Sequence, residues 1–231
     1  MPRFPDIAIE PLNWSLSALS TLTRFWAGWR GKPARQTPAQ PIILYEFEGC
    51  PFCRVTREAV SALQLSVDVR PCPKGGTYFR PELVRIGGKA QFPYMIDPNT
   101  GIKMYESADI SRYLYKTYGG RAAPWPLRPA VRGADAMLSA LSLLPRLGLG
   151  QFTSGRTQAV AKPLEFWGAE ADPLARLVRE TLCALEIPYR LHTNRPDGGP
   201  SLGLFDPNTG ARHSSSLAAR RYLSATYGRS R

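Results

Sequence analysis

Two cysteines three residues apart, in Cys50-Pro51-Phe52-Cys53, are the residues best suited to covalent chemistry in this chain. That spacing lets two sulfurs meet across one helical turn. A short apolar stretch precedes the pair and helical spacing follows it, which puts both cysteines where a strand ends and a helix begins. A helix start offers free N–H groups and partial positive charge, and both stabilise a thiolate. Cys50 is therefore expected to be the nucleophile and Cys53 the resolving thiol. Glu48 works the other way, since a nearby carboxylate raises the pKa of Cys50. A zinc half-site is the alternative, but His192, His213, Cys72 and Cys183 make no second closely spaced pair, so no metal site is expected. Cys183 falls on the buried side of a helix and reads as inert packing. Cys72, between Pro71 and Pro73, reads as an exposed thiol open to regulatory modification.

The 231 residues, 43% hydrophobic and 21% charged, suffice for one large or two small cores without staples. So few cysteines, two of them in one Cys-x-x-Cys, point to a reducing compartment rather than a disulfide framework. The N-terminus lacks an apolar run followed by a cleavage site, and no apolar stretch is long enough to cross a bilayer; a cytoplasmic protein is expected. The formal net charge is +12, yet more than half of the excess lies in residues 1–40 and 121–160. No Lys/Arg cluster interleaves with aromatics, so nucleic acid is not an expected partner.

Asp97-Pro98-Asn99-Thr100-Gly101 recurs as Asp206-Pro207-Asn208-Thr209-Gly210, and Arg112-Tyr113-Leu114 with Thr117-Tyr118-Gly119 recurs as Arg221-Tyr222-Leu223 with Thr226-Tyr227-Gly228, all at an offset of 109. Upstream, Arg57-Glu58 and Ala62-Leu63 match Arg179-Glu180 and Ala184-Leu185 at an offset of 122, so the second copy is 13 residues shorter in its middle.

The first copy predicts a strand over 41–47, a helix over 51–63, a strand near 66–70, a helix near 77–86 and a strand over 94–96. A hairpin through Asp97 to Gly101 then leads into 103–105, and a helix capped by Ser107 ends at Gly119. The order is βαβαββα. The second copy predicts strands over 163–167 and 189–192, helices over 173–185 and 216–227, and a hairpin about Asp206 to Gly210. Its middle helix is replaced by the turn-rich Arg195 to Pro200.

Between the copies, residues 130–144 have helical spacing, with Pro145 as a stop. Near the N-terminus, Leu12, Leu16, Leu19, Leu22, Trp26 and Trp29 form one side of a helix and Asn13, Ser17, Thr21 and Arg24 the other. Such a helix packs on the body of the protein or a partner through residues 12–30, or lies on a membrane surface. The chain thus divides into an N-terminal helix and linker (1–40), a first domain (41–120), a linker with a helix (121–160) and a degenerate second copy (161–231).

Glu48-Gly49-Cys50-Pro51-Phe52-Cys53, Gln91-Phe92-Pro93 and Glu106-Ser107 together resemble glutaredoxins and the N-terminal domain of glutathione S-transferases. The tandem arrangement is similar to bacterial and plastid proteins described as containing such domains. The resemblance implies two thioredoxin-like repeats in an α/β fold and glutathione as ligand or co-substrate. It makes Phe92-Pro93 a cis peptide, with Phe92 offering its backbone to the cysteinyl part of glutathione. It also assigns Glu106 and Ser107 to the γ-glutamyl end, and Gln91, with Lys89 as a weaker candidate, to the glycyl carboxylate. Two departures stand out: many glutaredoxins carry a Lys shortly before the first cysteine, where this chain has Tyr45 to Gly49, and only about forty residues separate the two copies, where the transferases carry a long helical second domain after the first. In the second copy Cys50, Cys53, Pro93 and Glu106 align with Asp172, Ala175, Leu202 and Ser215, leaving Ser216 opposite Ser107.

The preferred expectation is a glutathione-linked thiol-disulfide oxidoreductase acting on a disulfide-containing protein or small molecule. The alternatives are a non-catalytic module that binds glutathione or an iron–sulfur cluster, and a glutathione transferase-like protein.

Overall fold

The computed structural model describes residues 10–22, 31–124, 150–193 and 202–228. Strands β1 (Ile42–Glu46) and β2 (Ser66–Pro71) run parallel, joined by helix α2 (Pro51–Ala62), which follows α1 (Glu10–Leu22). Helix α3 (Phe79–Gly87) leads to the hairpin of β3 (Tyr94–Asp97) and β4 (Ile102–Tyr105), with β3 antiparallel to β1, and α4 (Ser107–Thr117) completes the first half. In the second half β5 (Leu164–Trp167) and β6 (Tyr189–His192) are parallel, joined by α5 (Pro173–Ala184). The hairpin of β7 (Gly203–Phe205) and β8 (Arg212–His213) sets β7 antiparallel to β5, and α6 (Ser216–Tyr227) follows.

Because β2 and β6 pair antiparallel, the eight strands make one mixed sheet in the order β4-β3-β1-β2-β6-β5-β7-β8. Side chains alternate across a strand, so Leu44, Val67, Val69, Phe166 and Leu191 enter one core with Val55 and Ala59 of α2, Leu114 of α4, Leu182 of α5 and Leu223 of α6. The opposite face of the first half buries Tyr45, Cys72 and Tyr94 against Leu83 of α3.

Both hairpins are tied by the same bonds. Asp97 accepts from Asn99 N (2.9 Å), Tyr113 Oη (2.6 Å) and Tyr118 Oη; Asp206 accepts from Asn208 N (2.8 Å), Tyr222 Oη (2.6 Å) and Tyr227 Oη. Gly101 (φ 74°) and Gly210 (φ 81°) take left-handed backbone that a Cβ would strain. At the centre of the β2–β6 pairing Asp68 faces Arg190, 122 residues on, and Arg190 Nε donates to Asp68 Oδ1 at 2.7 Å.

Several expectations need correction. Helix α1 turns its Ser17 side inward: Ser17 is fully buried, its Oγ donates to Pro173 O (2.9 Å) and its carbonyl accepts from Arg176 Nη1 (2.7 Å). Leu19 and Leu22 stay nearly half exposed. The buried guanidinium explains this, since leaving its donors without acceptors costs more than exposing two leucines. Trp26 and Trp29, the helix expected at 130–144 and the turn from Arg195 to Pro200 lie outside the described residues. Ser107 is the first residue of α4, not its cap. Glu106 holds the cap position at φ 70°, with no side-chain capping bond. Helix α3 starts at Phe79 rather than Thr77. No helix among the described residues is long and apolar enough to cross a membrane.

Candidate functional site

Cys50 caps α2 in an extended conformation (φ −100°), and Pro51 opens the helix, where a missing N–H costs nothing. The Cys53 backbone N–H donates to Cys50 Sγ at 3.2 Å. Burial pushes the Cys50 thiol up, but hydrogen bonds from the Cys53 thiol and N–H outweigh it and leave Cys50 below the ordinary thiol range. Arg57 also favours its thiolate, whereas Glu46 opposes it. Burial, the bond to Cys50 and the Cys50 charge hold Cys53 well above that range. The two thiols are thus split in acidity, with Cys50 the readier to ionise. Both are free and shielded, Cys50 only 3% exposed and Cys53 fully buried, while Phe52 between them is 48% exposed.

The surround comes from distant segments. Gly49 N donates to Gly150 O at 3.1 Å, so residue 150 closes over the turn before Cys50. Cys50 N donates to Phe47 O at 3.1 Å, and the Phe47 ring meets Phe92 edge-on with centroids 5.5 Å apart. The Arg80 guanidinium lies 4.7 Å over Phe92 and 5.8 Å over Phe47, fixed by Nε bonds to Cys72 O and Pro73 O. The Phe92-Pro93 peptide is cis. Pro93 is buried, and Phe92 precedes the first paired residue of β3, so its backbone stands outside the ladder.

Gln91 Nε2 donates to Glu106 Oε1 at 2.7 Å, bringing together two residues the sequence reading kept at opposite ends of a glutathione. Glu106 is a non-glycine residue in left-handed backbone at the start of α4, a conformation that surrounding structure must enforce. Ser107 is half-buried, and its carbonyl accepts from Ser111 Oγ. Lys89 is exposed, with its ammonium 4.7 Å over the Tyr105 ring. Cys72 corrects the expectation of an exposed thiol: it is fully buried under α3, and burial pushes its pKa well up. Cys183 is buried as expected, accepting from Glu48 N and donating to Gly150 O. Among the described residues no group of His, Cys, Asp and Glu is arranged to hold a metal ion.

Residues 44–122 match the family model of the glutathione S-transferase N-terminal domain. The match supports a thioredoxin-like domain over this stretch, which contains Cys50, Cys53, Gln91, Phe92, Pro93, Glu106 and Ser107; the matched family generally binds glutathione. Comparison with curated proteins and with solved structures gives no match.

Behind the thiols of the glutathione S-transferase N-terminal match lies a buried ionic network that sequence reasoning missed. Arg54, Arg57, Arg176 and Arg179 meet Glu46, Glu48, Glu58 and Glu170, all 5% exposed or less. Arg57 pairs with Glu46, with Glu48 and with Glu170 of the second half; Arg179 of the second half pairs with Glu48 and Glu170. Burial raises Glu46 to about 7, only partly opposed by Arg57. For Glu170, four surrounding guanidiniums overcome burial and hold the carboxyl far below its usual range. Glu48, expected to oppose the Cys50 thiolate, is itself paired with Arg179 and Arg57, and Glu46 is a carboxylate that opposes that thiolate. A signal was present, since Glu48, Arg54 and Arg57 align with Glu170, Arg176 and Arg179 at the same offset of 122. Arg80 left none, because only the packing of α3 brings it to Phe92.

Proposed function

We propose that the chain is a glutathione-linked thiol-disulfide oxidoreductase with one working site, and that residues 161–231 are a thioredoxin-like repeat without the chemistry. The carrying observation is the split acidity of Cys50 and Cys53 at the start of α2. The Cys50 thiolate attacks the glutathione sulfur of a mixed disulfide, forming a Cys50–glutathione disulfide and expelling the substrate thiolate, which takes up a proton. A second glutathione thiolate then attacks the glutathione sulfur, freeing Cys50 and leaving oxidised glutathione. Alternatively, Cys53 attacks Cys50 Sγ, closing an intramolecular disulfide and releasing glutathione.

Glutathione would lie with its cysteinyl backbone along Phe92, outside the β3 ladder, beside Pro93. Its γ-glutamyl end would sit at Glu106 and Ser107, where α4 starts. Gln91 and Lys89 would stand at the glycyl end. The repeat reading rests on matched bonds at Asp97 and Asp206 and on equivalent positions of Glu48 and Glu170. On this reading the second repeat supplies Glu170 and Arg179 to the ionic network behind the thiols, with the domain limits 1–40, 41–120, 121–160 and 161–231.

Reduction of hydroxyethyl disulfide by glutathione tests the proposal. Activity should vanish in Cys50→Ser and persist in altered form in Cys53→Ser, and the pH dependence of Cys50 alkylation should place its pKa below that of Cys53. A wild-type protein inert with every thiol donor would overturn it.

The shielding of Cys50 favours a second reading, a module that binds glutathione without turnover. The iron–sulfur version fits poorly, because a cluster shared between two subunits needs a ligand sulfur at the surface and Cys50 is 3% exposed. Glutathione binding by calorimetry together with an inert disulfide assay would select this second reading.

A further inference from the structure

Helix α3 brings Arg80 to the thiol site, yet the start of α3 is held by the other half. Its cap position is Tyr78, which makes no side-chain capping bond. The N–H groups just ahead of the helix go instead to one carboxylate: Thr77 N donates to Glu186 Oε1 at 3.2 Å and Tyr78 N to Glu186 Oε2 at 3.0 Å. Glu186 is 1% exposed and lies just beyond α5, 108 residues on from Tyr78.

This carboxylate is fixed from several directions. Thr153 Oγ1 donates to Glu186 Oε1 at 3.2 Å, and Arg156 Nη1 donates to the Glu186 carbonyl at 2.9 Å while its guanidinium lies 3.8 Å over the Tyr78 ring. Glu186 takes left-handed backbone (φ 50°), which a non-glycine residue keeps only where its surroundings enforce it. Gly76 leaves the room it needs, since a Cβ there would stand 2.7 Å from Glu186 Oε2. At the matching offset of 122, Gln64 of the first half has the same backbone (φ 54°) but a neutral amide, whose Nε2 donates to Gly31 O at 3.3 Å. The carboxylate belongs to the second half alone.

From this anchor the path to the site is short. Arg80 is the second residue of α3, and its guanidinium covers Phe92 from 4.7 Å. Opening the helix start takes Arg80 off that ring. A ligand that needs the Phe92 platform then binds only the fraction of molecules still closed, and its apparent affinity falls by that fraction.

We infer that Glu186 of the second half is a positioning residue for glutathione at Phe92, acting through the start of α3 and Arg80. The inference rests on the glutathione reading proposed above and gives the second half a direct part in that site.

Calorimetry with reduced glutathione tests this in a double-mutant cycle of Glu186→Ala and Arg80→Met. Glu186→Ala should weaken glutathione about fivefold, the size of a lost helix-start acceptor, and speed amide exchange at Thr77 and Tyr78. Added to Arg80→Met, the same change should cost less than about twofold, because its route to Phe92 is already gone. The pH profile of Cys50 alkylation should stay as in wild type, since the bonds to that thiol come from α2. Gly76→Ala, which pushes the carboxylate aside from the first half, should reproduce the loss and decides the matter if Glu186→Ala fails to fold. Binding equal to wild type in the variants at Glu186 and Gly76, losses that multiply in the double variant, or a shifted alkylation profile would each overturn the inference and leave the glutathione reading standing. Wild type that binds no glutathione would overturn both.

Discussion

Arg57 Nε donates to Glu170 Oε2 at 2.8 Å, tying the helix that carries the cysteines to the turn before α5 in the other half. The relation has a counterpart, since Arg179 Nε donates to Glu48 Oε2 at 3.1 Å. Each half thus sends a guanidinium to a carboxylate of the other, behind the start of α2. Such a pair adds little stability over a well-packed apolar one, but breaking one member leaves a buried charge without compensation.

Glu170→Ala should therefore destabilise the fold by about 3–5 kcal/mol. Glu170→Leu combined with Arg57→Met should cost less than the two single changes summed. Urea unfolding of wild type and the four variants checks both statements. A cost below about 1 kcal/mol for Glu170→Ala, the level of a surface pair, would show the network to be hydrated and slack.

Glu46 gives the network a pH dependence. Burial lifts it from 4.5 to about 7, so between those values the folded protein binds a proton that the unfolded chain has released. This contribution to stability is full below about 4.5 and lost as pH rises through about 7. Glu46→Gln keeps an acceptor for Arg57 and removes the titration. The unfolding midpoint of wild type should fall across that window relative to that of Glu46→Gln, by an amount worth a few kcal/mol at most. Parallel curves for the two proteins would place Glu46 in contact with water.

The hairpins at Asp97 and Asp206 were legible because Asp-Pro-Asn-Thr-Gly is local turn chemistry, and α2 was legible from Pro51 and its apolar spacing. The thiol pair was found by the same kind of rule, a helix start. The ionic network was not. Arg54 and Arg57 with Glu58 look like the solvated side of a helix, and only the pairing of β2 with β6 turns them inward. Cys72 and Ser17 misled for a related reason, because their burial comes from α3 and from Arg176, segments remote from them in sequence. Long-range packing decided each case where the pattern of neighbours did not.

The two Asp-centred turns allow a direct comparison of the halves. Tyr118 Oη donates to Asp97 and Tyr227 Oη to Asp206, both from buried rings, and a hydrogen bond to a charged acceptor contributes about 1.5–3 kcal/mol. Burial raises the Asp97 and Asp206 carboxyls, but the bonds from their tyrosines and asparagines outweigh it and hold both below the usual range. Tyr118→Phe and Tyr227→Phe should each cost about 2 kcal/mol. Because the sites share no hydrogen-bond partner, the double variant should lose the sum to within about 0.5 kcal/mol. Each single change should also move its aspartate upward, which carbon-detected NMR of the carboxyl reads directly. Since one continuous core spans both halves, the singles and the double should unfold in one transition. Two transitions, with only the mutated half shifted, would show that the halves melt separately and that the β2–β6 seam does not couple them.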